Sequence, residues 1–306
     1  MPIDTPIQGV FAPIVTPFRP SDGAVDLPWL RRHVAYLRDH GCTGVIPCGT
    51  NGEAASLSVA ERQAVVEATL AAADGLIVMP GTGASALPDA IMLTRHAFAA
   101  GATTVLVMPP FYFKRPAEAG VIAWFQRLMD AAVPTGGRVL LYHIPQTTGV
   151  PISDGILQAL RASHREALYG IKDSTGDPAQ GEHFRTTFPW LAYFVGNDHL
   201  VGAACREGGA GSITAGANVF PALVVAVQRA AWAGGDVAAS QAVLTEARAL
   251  LESCPLQPAT KTALSEVAGL PPTAVRPPQV ELTPEQHAAF VATLRAALPR
   301  WQPAAA

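Results

Sequence analysis

Short runs of Val, Ile and Leu alternate along the chain with longer stretches in which apolar residues recur every three or four positions. The short runs predict strands over 10–18, 44–49, 77–81, 104–109, 138–144, 168–172, 192–196 and 211–214. Most are continuously apolar, as expected of parallel strands whose outer face is covered. The longer stretches predict helices over 28–40, 59–73, 87–100, 117–131, 153–163, 178–188, 199–206 and 219–233. Several boundaries carry their own signals. Ser58 with Glu61 three residues on is a capping box, and Asp177-Pro178 sets a cap before a proline at the first helical position. Gly41, Gly101 and Gly208 stand where helices end.

Strands recur every ~20–35 residues, close to one βα unit each. Eight such units predict an α/β protein with a (β/α)8 TIM barrel over 1–233. A doubly wound sheet is the rival, but it uses fewer strands, and no G-x-G-x-x-G follows the first strand. Beyond Ala233 the pattern is purely helical, over 237–251, 259–268 and 284–298. The segment 234–306 is therefore expected as a C-terminal helical extension packed on the barrel, rather than a separate domain.

Composition agrees with a large core. Hydrophobic residues make up 49% of the 306 and charged residues only 15%, against ~25% charged in an average soluble domain. The 27 prolines exceed the ~5% norm and are scattered as turns. A net charge of −3 leaves no basic footprint for nucleic acid. The longest apolar runs fall well short of the ~18 residues of a membrane span. The first nine residues have neither a basic nor an apolar leader region. None of the four cysteines has zinc-type spacing, so reduced thiols in a cytoplasmic protein are expected. No metal site or cofactor is expected either.

In a barrel of this kind functional residues gather at the C-terminal ends of the strands. Lys172 ends the sixth. It is one of only three lysines, with Lys114 and Lys261, among 21 Lys and Arg residues. A lysine amine, unlike a guanidinium, can lose its proton and attack a carbonyl to form a Schiff base. The plainer reading is a strand-end lysine that reaches solvent or pairs with Asp173. Tyr142, one strand earlier, has a hydroxyl suited to moving protons for such chemistry; otherwise it is a core tyrosine. His143 beside it is a second candidate proton carrier. The turn Gly49-Thr50-Asn51-Gly52-Glu53 offers a hydroxyl and backbone N–H groups that can hold a carboxylate, or it is an ordinary strand-to-helix turn. Asp198-His199 has the residue types of a metal pair but no companions, and Asp198 reads better as a helix cap.

These residues, in this order, resemble the dihydrodipicolinate synthase / N-acetylneuraminate lyase family of Schiff-base-forming aldolases. The motifs are Gly49-Thr50-Asn51-Gly52-Glu53, Tyr142-His143-Ile144-Pro145, Gly170-Ile171-Lys172-Asp173 and Gly211-Ser212-Ile213. The resemblance begins near Gly9 and spans nearly the whole chain. It implies a TIM barrel, a homotetramer built as a dimer of dimers, and a lysine that forms a Schiff base with pyruvate or another 2-oxo acid. Matched position by position, Lys172 is the Schiff-base lysine and Tyr142 the proton-relay tyrosine. Thr50 links it to a second tyrosine, and Tyr112 is the tyrosine lent to a neighbouring subunit. Thr50 and Asn51 would hold the 2-oxo acid carboxylate, with the Ile213 carbonyl near the substrate.

One departure bears on function. Dihydrodipicolinate synthases read Y-N-V-P-x-R-T-G, where this chain has Thr147 in place of the arginine. A hydroxyl cannot replace a bidentate guanidinium on a carboxylate. The expected activity is therefore a lyase or aldolase joining or parting pyruvate and an aldehyde, on a substrate of the 4-hydroxy-2-oxo acid type. Two alternatives use the same lysine. One is a dihydrodipicolinate synthase with different carboxylate recognition; the other is a dehydratase or deaminase of a deoxy sugar acid or pyrroline acid. A silent 2-oxo acid binder and a metal-dependent aldolase are rivals from other classes.

Overall fold

Each of the eight apolar runs contains a parallel strand in the computed structural model, which describes residues 6–301. Most of the N-terminal stretch read above as lacking a leader lies outside the described residues. The strands are β1 (Gly9–Ala12), β2 (Gly44–Val45), β3 (Ile77–Val78), β4 (Thr104–Val107), β5 (Arg138–His143), β6 (Leu168–Asp173), β7 (Ala192–Val195) and β8 (Gly211–Ile213). Several are shorter than predicted, for a local reason. Pro13, Pro47, Pro80 and Pro109 lack the N–H that a ladder needs, and each lies just past a strand.

The sheet order is β3-β2-β1-β8-β7-β6-β5-β4. Its two ends meet through a parallel bridge between Gly81 and Leu106. There the Leu106 N–H donates to the Pro80 carbonyl at 2.9 Å and the Thr82 N–H to the Leu106 carbonyl at 3.0 Å. The sheet thus closes into a barrel.

The period of two along each strand sorts side chains between two cores. Leu140 and Tyr142 of β5 and Phe194 of β7 point inward, with Phe11, Ile46, Met79, Leu106 and Ile213. Val139 and Leu141 of β5, Ile171 of β6, and Tyr193 and Val195 of β7 pack outward under the helices. Gly170 is inward on β6, where a Cβ would stand 2.7 Å from Leu140 Cδ1. Lys172, two residues on, shares that face and is paired in register with Tyr142 and Phe194.

The barrel helices lie within about two residues of expectation at most ends. The capping box closes, with Ser58 Oγ accepting from the Glu61 N–H at 3.2 Å and Glu61 Oε2 from the Ser58 N–H at 2.9 Å. One short helix, Pro145–Thr148, has no counterpart in the predicted pattern. Three further helices, Ala238–Glu252, Leu256–Val267 and Pro284–Trp301, follow the barrel. The first packs on Pro221–Trp232 and on the turn Asp198–Leu200 after β7, so it reaches the C-terminal mouth of the barrel. Among the described residues no helix is long and apolar enough to cross a membrane.

Candidate active site

The register of β5 and β6 brings the two strongest sequence candidates side by side. Lys172 is 4% exposed, and its Nζ lies 4.0 Å from the centroid of the Tyr142 ring. The turn after β2 supplies the third group, with Thr50 Oγ1 3.5 Å from the Tyr142 hydroxyl. That turn lies flat against the segment that follows β1 because of Gly52. A Cβ there would approach the Ile14 carbonyl to 2.8 Å, and the Gly52 carbonyl accepts from Thr16 Oγ1 at 2.6 Å. Thr50, Asn51, Tyr142, Lys172 and Ile213 all line one cavity of about 250 Å³.

Electrostatics favour proton movement at Tyr142. Burial pushes its phenol pKa up. The charge of Lys172 and hydrogen bonds with Thr50, Ser174 and Lys172 more than offset this, and the pKa falls below the ordinary phenol value. A tyrosine with three polar neighbours and a lowered pKa can both take and return a proton near a bound carbonyl.

Not every candidate reaches this cavity. Thr147 is exposed on the short helix Pro145–Thr148, and its neighbour Gln146 lines the cavity instead. Gln146 Nε2 donates to the Ser174 carbonyl at 2.6 Å. Tyr112 and Phe113 lie on the loop after β4, 74% and 75% exposed. Their rings meet edge to face at 5.3 Å, away from their own chain's cavity. His143 points outward from the barrel, where its Nδ1 accepts from the Ile152 N–H at 3.0 Å and its ring packs on Phe184. It is therefore no proton carrier for this cavity.

Asp198 is not the helix cap expected of it. Asn197 Oδ1 accepts from the His199 N–H at 2.9 Å, while Asp198 is fully buried and paired with Arg248. Among the described residues no cluster of His, Cys, Asp and Glu could hold a metal ion.

Ser174, Asn197, Arg248 and Glu252 also line the cavity, and sequence reasoning gave none of them a role there. Ser174 had a signal, since it stands two residues after Lys172 and so on the same face of the chain. Arg248 and Glu252 had none beyond an ordinary i,i+4 helical pair. A larger hollow of about 800 Å³ opens at the opposite end of the barrel, around Arg161, Tyr169 and Trp190. Among the described residues its lining has no lysine, and strand starts are the structural end of such a barrel.

Glu53 closes the turn of Thr50 and Asn51 and is pinned from far along the chain. Its Oε1 lies 2.6 Å from Lys261 Nζ, with the two side chains 1% and 2% exposed. Its Oε2 accepts from the Arg276 N–H at 3.0 Å. Lys261 also donates to the Ala274 carbonyl at 2.6 Å. Lys261→Met leaves Glu53 buried without its partner and should destabilise the fold by about 3–5 kcal/mol. Glu53→Gln with Lys261→Met should recover part of this. Denaturant titration of the three proteins measures it; a loss under ~1 kcal/mol for Lys261→Met would contradict a buried ion pair.

Comparison with known proteins identifies the family and the fold. Residues 6–297 match the model of the dihydrodipicolinate synthetase family. An uncharacterized DapA-like lyase of Chloroflexus aurantiacus is 45% identical over 293 residues, 96% of each chain. A 4-hydroxy-tetrahydrodipicolinate synthase of Roseobacter denitrificans is 34% identical over 94% of this chain and 97% of its own. Among solved structures, the E. coli K12 prophage protein YagE in complex with pyruvate, of the dihydrodipicolinic acid synthase family, superposes with a TM-score of 0.88. It is 27% identical over 96% of this chain and 99% of its own. With the barrel, the strand-end lysine and the match along almost its full length, the chain belongs to the dihydrodipicolinate synthetase family.

Proposed function

We propose that the protein is a Schiff-base-forming lyase or aldolase that acts on pyruvate or a 4-hydroxy-2-oxo acid yielding it. The observation that carries this is the buried Lys172 amine against the Tyr142 ring, in one cavity with Thr50 and Asn51. Thr50 and Asn51 hold the 2-oxo acid carboxylate, and the Ile213 carbonyl faces the substrate. The neutral Lys172 amine attacks C2, and loss of water gives an iminium. In the cleavage direction Tyr142 takes the proton of the C4 hydroxyl. The C3–C4 bonding pair flows into the iminium to give an enamine, and the aldehyde leaves. Protonation at C3 and hydrolysis release pyruvate and restore Lys172.

Tyr112 enters this scheme from a second copy of the chain. Its exposure beside Phe113, at the top of a barrel whose own cavity it does not line, supports that role. A homotetramer in the cytoplasm is the corresponding assembly and compartment.

Borohydride tests the chemistry directly, because hydride reduces an iminium irreversibly. Protein treated with pyruvate and borohydride should gain one reduced pyruvyl group, and peptide mass analysis should find it on Lys172. An unlabelled protein would exclude the Schiff base.

The substrate on the aldehyde side follows from position 147. With Thr147 exposed and no guanidinium there, aspartate semialdehyde has lost the clamp for its carboxylate. Charge-assisted hydrogen bonds of this kind contribute about 1.5–3 kcal/mol each, or roughly ten- to a hundredfold in affinity. Condensation of that aldehyde with pyruvate should therefore be slow beside neutral aldehydes in a coupled assay. An efficiency above every neutral aldehyde tested would make the protein a biosynthetic synthase instead.

A further inference from the structure

The outer wall of the cavity comes from beyond the barrel. The last turn of the helix Ala238–Glu252 sends Arg248 and Glu252 into it, beside Asn197, Thr175 and Gln146. Arg248 is a cation already in use. Its Nη1 lies 3.1 Å from Asp198 Oδ2. Its Nε and Nη2 both reach Glu252 Oε1, at 2.8 and 2.7 Å. Asp198 Oδ2 also accepts from the Gly216 N–H at 3.0 Å. Two carboxylates therefore face one guanidinium. Among the described residues the hydrogen-bond partner of Glu252 Oε2 is His199 Nε2, at 3.4 Å. Burial opposes the charge of Glu252, but Arg248 and then His199 hold its pKa below the ordinary value, so it is ionised at neutral pH.

This arrangement discriminates by charge and by hydrogen-bond type. A phosphate or carboxylate brings negative charge and acceptors to a wall whose cation is neutralised and whose open oxygen is a carboxylate. A hydroxyl both donates and accepts. It can donate to Glu252 Oε2 and accept from a guanidinium N–H that Asp198 and Glu252 leave open. Asn197 and Gln146 add neutral donors and acceptors of the same kind.

We propose that Arg248 and Glu252 form a distal subsite that selects an aldehyde with a neutral, hydroxylated tail over one bearing phosphate or a second carboxylate. The proposal rests on the Schiff-base reading and extends it to the part of the substrate remote from Lys172.

The test pairs two aldehydes that differ only in a phosphate, glyceraldehyde and glyceraldehyde 3-phosphate, each condensed with pyruvate. Wild-type kcat/KM should favour the neutral aldehyde by about tenfold or more, the scale of one unfavourable charge contact. Glu252→Gln keeps the shape and a bond to Arg248 but removes one negative charge. It should lower that preference by about tenfold, chiefly through better use of the phosphorylated aldehyde. Pyruvate trapping by borohydride, run on both proteins, reports an intact fold and Lys172. A wild type that prefers the phosphorylated aldehyde, or a ratio unchanged in Glu252→Gln while trapping persists, overturns the subsite alone. A wild type that traps no pyruvate overturns the Schiff-base reading, and the subsite with it.

Discussion

Lys172→Arg is expected to carry no pyruvyl group after borohydride treatment and to lose at least ~10⁴-fold in turnover, as when a covalent nucleophile is removed. The substitution keeps the positive charge and nearly the length of a side chain that is 4% exposed beneath the Tyr142 ring. It removes only the ability to become a neutral amine, because a guanidinium stays protonated. The other two lysines are poor stand-ins. Lys114 Nζ donates to the carbonyls of Phe111 and Thr148 at 2.6 and 3.0 Å, and Lys261 is buried against Glu53. A pyruvyl group found on either of them would falsify the mechanism.

Tyr142→Phe should cost roughly 10²–10⁴ in turnover, the usual contribution of a positioned acid–base group. The variant is a clean one. Phe keeps the ring under Lys172 Nζ and deletes only the hydroxyl that meets Thr50 at 3.5 Å. Binding of the 2-oxo acid carboxylate should change little, so the loss falls on kcat. The pH profile supplies a second readout. Burial raises the Tyr142 pKa, but Lys172, Thr50 and Ser174 bring it below the ordinary phenol value. If its phenolate is the base, the rate rises with pH through that lowered pKa, and Tyr142→Phe removes the rising limb. Thr50→Val deletes one of the lowering hydrogen bonds and should move the limb to higher pH. A Tyr142→Phe enzyme with unaltered kcat would assign the proton to another group, and His143, which faces outward onto Phe184, is not available for it.

Most of the barrel was legible because its strands are short apolar runs punctuated by proline and its helices carry local caps. The strand lengths were overread where a proline follows: 10–18 was expected, yet the ladder stops at Ala12, before Pro13. Lys172 and Tyr142 were legible because strand ends in such a barrel converge on one mouth, whatever lies between them in sequence. Asp198 was misread because an acidic residue before a helix looks like a cap. Its actual partner, Arg248, is 50 residues away and carries no local trace. Glu252 and Arg248 were invisible for the same reason, since only the packing of Ala238–Glu252 over the turn after β7 brings them to the cavity. Lys261 was noticed only for its rarity, and nothing near it in sequence announces Glu53.

The clamp between Lys261 and Glu53 also sets a clock for the nascent chain. Every strand of the barrel has been synthesised once Ile213 is in place. The turn that contains Thr50 and Asn51 still lacks its anchor, which sits 208 residues after Glu53 and is completed by the Arg276 amide. Chain growth of ~5–20 residues per second separates the last strand from this anchor by several seconds. During that interval Lys172 is present while the turn that contains Thr50 and Asn51 lacks its anchor. Ribosome-stalled chains long enough to bring β8 out of the exit tunnel while Lys261 and Arg276 remain inside it should therefore protect the barrel amides from exchange yet trap pyruvate poorly, with trapping restored once residues through Arg276 have cleared the tunnel.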